Sequence, residues 1–222
     1  MVETERALRA ADPGLAARVM SVKAYQQRRF ELTYADLLQH PRYSGAAKFF
    51  LREIYGPSDF TQRDQQFARI VPALIRLFPD EAVAAVEALA ALHALSERFD
   101  SAMARVLPSE RLDADGYAQA WQRCDDAPGR DRQIALLLRV GRALDGLTRS
   151  SVLRHSLKLM GAPARVAGMA ALHAFLEAGF DNFRGMRGAD EFLALIGERE
   201  RALAKTLFSV APGEVGRLGQ LP

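Results

Sequence analysis

Apolar residues recur at steps of three and four along most of the chain, the period of an amphipathic helix rather than a strand. Leu15, Val19, Val22 and Phe30 follow one such stripe, and Leu92, Leu95, Phe99 and Val106 follow another. Met169, Leu172, Leu176 and Phe180 form a third. No run of alternating β-branched residues interrupts them. No Asn-Gly or Asp-Gly pair sits between two alternating runs, as a β-hairpin requires.

Helix-breaking and capping residues fall between these stripes. Asp12 followed by Pro13 predicts a helix start, with the carboxylate as cap and proline in the first turn. That helix runs to a break near residues 32–33, and a short helix ends before His40 and Pro41. Ser44 can cap a helix over 45–55 that Gly56 and Pro57 stop. Pro79 opens the longest helix, to about 106, with Asp80 and Glu81 where the dipole favours them. Asp113 caps a helix through 121, and 125–131 reads as a loop. Further helices are expected over 132–144, 148–160, 163–178 and 190–208. The expected architecture is all-α: a single-domain bundle of roughly eight to ten helices over 1–210, with a frayed, Gly/Pro-containing tail over 211–222.

Composition narrows the class. With 49% apolar and 26% charged residues the chain is globular in type. The lone Cys124 rules out an intramolecular disulfide and fits a reducing compartment. The first residues lack a basic segment followed by an apolar core, and no apolar run approaches the ~20 residues that span a bilayer. The expectation is a cytoplasmic protein without membrane association. The net charge is +3, but only four of the 30 cations are lysine. An arginine- and alanine-rich chain is what a GC-rich bacterial genome tends to encode. Signs are interspersed, so the basicity does not mark a nucleic-acid tail.

Three constellations could carry chemistry. The first is an aromatic corner between Tyr43 and Phe78, where Tyr55, Asp59, Phe60, Arg63 and Asp64 could line and fringe a ligand pocket. A purely structural corner, with Asp59 paired to Arg63 one turn on, explains the same residues. The second is an echo: Ala-Leu-His-Ala occurs at 91–94 and at 171–174, each with Glu four residues after the His. His93 with Glu97 and His173 with Glu177 could together hold one divalent metal if the two helices face each other. Leu92-His93 also allows a haem-ligating histidine. Two separate core-edge histidines are the simpler explanation, and no metal or haem is expected. The third is a cationic run, Arg139, Arg142, Arg149, Arg154, His155, Lys158 and Arg165, which could form an anion- or nucleic-acid-binding face. Its modest charge excess reads more simply as a solvated face.

The string from Phe49 to Phe60, with Arg63 and Asp64, resembles an uncharacterised family of proteobacterial all-helical proteins. Residues 132–134 and 175–180 fit the same resemblance. It implies a bacterial, intracellular, helical protein and transfers no catalytic residue. Phosphate-loop, dinucleotide, nucleophile-elbow, zinc-protease and Cys-x-x-Cys motifs are absent. The sequence therefore points to a non-enzymatic protein that binds a partner protein or a small ligand. It leaves the ligand, the oligomeric state and the reality of the repeat open.

Overall fold

Local capping chemistry sets most helix ends. The structure, a computed structural model, describes residues 2–53, 62, 65–70, 80–211, 213–215 and 221–222. The first helices are α1 (Val2–Ala11), α2 (Pro13–Thr33), α3 (Ala35–Gln39) and α4 (Ser44–Glu53). They are followed by α5 (Asp80–Val106), α6 (Ala114–Cys124) and α7 (Ala127–Thr148). The chain ends with α8 (Ser151–Leu159), α9 (Gly161–Val166), α10 (Ala170–Gly185) and α11 (Asp190–Ser209). Residues 65–70 are helical as well. Among the described residues there is no strand, in keeping with the all-α reading.

Asp12 accepts a hydrogen bond from the Leu15 amide at 3.0 Å and so starts α2, as its place before Pro13 predicts. Asp113 does the same for α6 through the Gly116 amide at 2.8 Å. The loop over 125–131, the unbroken helix over 163–178 and the helix number need correction. Residues 125–131 are not a loop: Asp125 alone turns in the left-handed region, at φ 42°, and Asp126 caps α7 through the Gly129 amide at 2.8 Å. The helix expected over 163–178 is broken at Gly168, whose φ of 69° favours glycine. With this break, α1 and the helical residues 65–70, the described residues form twelve helices, above the expected eight to ten. Described residues lie also within the tail expected over 211–222. Val215 is buried in the core, and the Tyr25 hydroxyl donates to the Pro222 carbonyl at 3.2 Å.

Helix α5 packs against α7, α2, α6 and α1, while α11 packs against α7 and α6. Helices α7 and α11 approach closely: a Cβ on Gly141 would lie 2.4 Å from a Leu193 methyl, and one on Gly197 2.9 Å from a Leu138 methyl. Two apolar clusters result. One gathers Phe30, Tyr34, Phe50, Phe183, Phe192 and Ile196; the other gathers Val22, Tyr25, Met103, Tyr117, Trp121 and Leu203. Each buried aromatic of this size stabilises the fold by roughly 1.5–3 kcal/mol.

The same helices supply both clusters. On α2, residues 15–25 serve one cluster and Phe30 the other, with buried Arg29 between. On α5, Ala88 and Leu92 serve one and Met103 the other, with buried Glu97 and Asp100 between. On α11, Leu193 and Ile196 serve one and Leu203 and Leu207 the other, with buried Glu200 between. A charged layer thus divides the apolar interior.

Candidate functional site

A charge taken out of water must be paired and hydrogen-bonded to persist. Most of this layer obeys that rule. Arg29 on α2 pairs with Glu200 on α11, and the Tyr34 hydroxyl donates to the same carboxylate oxygen at 2.7 Å. Glu97 on α5 receives Arg9 from α1 on one oxygen and Lys23 from α2 on the other. Burial alone would raise the Glu97 carboxyl, yet the Lys23 and Arg9 charges and hydrogen bonds hold it below its ordinary value. Asp100, one turn on, accepts from the Gln26 amide at 3.1 Å and lies 3.9 Å from the Lys23 ammonium. There burial prevails and pushes the carboxyl up, toward its neutral form.

Arg130 follows a different pattern. It sits in the first turn of α7, only 4% exposed. Its guanidinium carbon lies 3.8 Å from the Phe99 ring centre and 4.0 Å from that of Trp121. Its hydrogen bonds go to neutral atoms: the Gln133 side-chain oxygen at 3.0 Å and the Met103 thioether at 3.0 Å. Burial lowers its pKa, opposed by the fields of Tyr117 and Asp100. Gln133 is itself fixed by donating to the Ser96 hydroxyl at 2.8 Å.

These groups line a cavity of about 530 Å³ inside the bundle. Lys23, Arg29, Asp100, Trp121, Arg130 and Glu200 make its polar wall. Leu89, Leu92, Ile134, Leu137, Leu172 and Phe175 make its apolar wall. Val2, Glu3 and Arg6 of α1 reach it from one side. The volume falls within the ~300–1,000 Å³ of small-molecule sites, which pair apolar walls with a few placed polar groups.

The first predicted set, Tyr55, Asp59, Phe60, Arg63 and Asp64, lies outside the described residues, as does Gly56. Of the second set, His93 and Glu97 line the cavity, but the Glu97 carboxylate is engaged by Arg9 and Lys23. His173 bonds through Nε2 to the Leu157 carbonyl at 2.8 Å, and Glu177 lies 4.0 Å from its Nδ1. Among the described residues no group of three or more His, Cys, Asp or Glu is arranged to hold a metal, so the four residues do not converge as one such set. Of the cationic run, Arg139, Arg142, Arg149, His155, Lys158 and Arg165 are exposed, and Arg154 stands 3.8 Å from Asp181. Residues 146–176 contain no acidic side chain. Helices α8 and α9 bury none of their residues, and Val152 and Val166 stand open to solvent.

Sequence reasoning missed Arg29, Asp100, Arg130 and Glu200, although a signal was present. Glu200 occupies a stripe position between Leu193, Ile196, Leu203 and Leu207, and Arg29 continues the stripe of Val22 and Tyr25. A charge at a core position of a helical stripe marks a buried polar contact.

The fold and the layer define a class: an all-helical bundle whose charged interior lines a cavity. Residues 5–214 match the model of the family described as Domain of unknown function (DUF8198), and the chain belongs to that family. No curated protein and no solved structure matches the chain. Among the described residues no helix is long and apolar enough to cross a membrane.

Proposed function

We propose that this protein binds a small amphipathic organic molecule inside the bundle and does no chemistry on it. The observation that carries this reading is the 530 Å³ cavity with one apolar and one charged wall. A purely structural interior would gain by filling that volume, since an empty cavity forfeits packing in proportion to its size. A buried ion pair is also often no better for stability than apolar packing of the same shape. A site that recognises a ligand with a polar end and an apolar body accounts for both features. We place the protein in the cytoplasm, a reading supported by its single cysteine.

The test is titration with N-phenyl-1-naphthylamine, an uncharged aromatic whose fluorescence rises in apolar surroundings. Saturable one-to-one binding is expected, and Leu89→Trp, which fills the apolar wall, should weaken it at least tenfold while leaving the circular dichroism spectrum unchanged. Absence of saturable binding, or indifference to Leu89→Trp, would refute the reading.

A further inference from the structure

One cation of the polar wall, Arg130, is hydrogen-bonded only to neutral acceptors. Arg29 has Glu200, and Glu97 has Arg9 and Lys23. The cavity lining holds the cations Arg6, Lys23, Arg29 and Arg130 and the carboxyls Glu3, Glu53, Glu97, Asp100 and Glu200, so the case for an anion rests on the setting of Arg130 itself. Among the described residues no carboxylate lies at ion-pairing distance from Arg130. One of its donors rests on a thioether, a weak acceptor that an anionic oxygen readily displaces. A second, independent observation falls beside it. The indole N–H of Trp121 is buried and meets no acceptor, although Trp121 is only 7% exposed and lines the same cavity. Buried donors without partners are rare, and one beside a ligand-sized cavity points to an acceptor supplied by a ligand.

Resting on the cavity reading above, we infer that the ligand is an amphipathic organic anion whose carboxylate or similar oxyanion head is held by the Arg130 guanidinium and the Trp121 N–H. The rings of Phe99 and Trp121, 3.8 and 4.0 Å from the guanidinium carbon, hold the group in place before the ligand arrives, which lowers the entropy cost of binding. The apolar body of the ligand then lies along Leu89, Leu137, Leu172 and Phe175. A cationic ligand would offer the Arg130 guanidinium no acceptor. A wholly apolar one would leave the Trp121 donor unmet.

The test compares two dyes with one aromatic framework: 8-anilinonaphthalene-1-sulfonate, which carries an anionic head, and uncharged N-phenyl-1-naphthylamine. The wild-type protein should bind the sulfonate at least tenfold more tightly. Arg130→Gln should abolish that preference while retaining the uncharged dye. Trp121→Phe keeps the ring and the Arg130 charge but removes the donor, and should weaken the sulfonate about threefold or more with the uncharged dye unchanged. Equal binding of the two dyes by the wild type, or parallel losses in Arg130→Gln, would overturn the anion assignment and leave the cavity reading standing. Failure of both dyes to bind the wild type would end both. Should Arg130→Gln not fold, Trp121→Phe decides, and an unchanged sulfonate affinity there overturns the proposal.

Discussion

Helix α1 buries no side chain, yet Val2, Glu3 and Arg6 line the cavity. Its attachment is polar. Arg9 donates to the Glu97 carboxylate, to the Glu97 carbonyl at 2.8 Å, and to the Ser101 hydroxyl at 2.7 and 3.0 Å. A further ion pair of α1, Arg105 with Glu5 at 2.8 Å, is exposed on the arginine side and adds little. Arg9→Ala removes all four of these bonds while Glu97 keeps Lys23. One charge-assisted bond is worth about 1.5–3 kcal/mol and the neutral ones about 1 kcal/mol each. Allowing for competing water, the local loss is about 2–4 kcal/mol. Because a factor of ten corresponds to 1.4 kcal/mol, amide exchange over residues 6–11 should accelerate ~30-fold or more. The first four amides of the helix lack intrahelical partners and are not informative. The assay is hydrogen–deuterium exchange followed by peptide mass analysis. Unchanged exchange over 6–11, or an equal acceleration throughout α5 and α7, would refute a local clasp. The faster opening should also raise the dissociation rate of bound dye.

Two further perturbations probe the layer. Glu200→Gln keeps the shape but removes the carboxylate that Arg29 and Tyr34 share, and should cost about 3 kcal/mol in urea-induced unfolding; a loss below 1 kcal/mol would contradict a buried ion pair. Asp100→Asn tests the raised carboxyl, for which burial is the largest cause. A carboxyl whose folded pKa exceeds its unfolded value, near 3.9, takes up protons on folding, so stability is lost as pH rises from about 4 toward the folded pKa. Asparagine cannot ionise, so the stability difference should shift in favour of the variant between pH 4 and pH 8, and a constant difference would refute the assignment.

What was legible in the sequence was local. Asp12 and Asp113 cap helices through bonds that reach only three residues ahead, so the residue and its neighbours suffice. The start of α5 at Asp80 is equally plain from Pro79 and the first-turn acids Asp80 and Glu81. Errors arose where a residue type has two uses. Proline and glycine at 128 and 129 suggest a loop, but proline also suits the first turn of a helix, and Asp126 makes that choice by bonding the Gly129 amide. The tail looked frayed because nothing local holds it. Its described residues meet distant groups: the Gly213 amide donates to Asp115 at 3.2 Å, and the Pro222 carbonyl accepts from the Tyr25 hydroxyl at 3.2 Å.

The interior layer depends on partners that periodicity cannot pair. Arg29 and Glu200 stand 171 residues apart, and each alone looks like a flaw in an apolar stripe. The Ala-Leu-His-Ala echo drew attention to Glu97 for another reason, as a metal ligand; in the structure its carboxylate is held by α1 and α2. The two histidines of the echo differ in setting, His93 at the cavity and His173 bonded to the Leu157 carbonyl. Arg130 is the residue for which the distinction between structure and function matters most. A guanidinium stacked between two rings can stabilise a bundle through cation–π contact, but an apolar side chain of similar size would fill that place without the desolvation cost. Stability alone gives no reason to leave its donor on a thioether and the adjacent indole N–H without an acceptor. Recognition of an incoming oxyanion does, because a site built to hydrogen-bond a ligand keeps its donors poised and unspent until the ligand arrives.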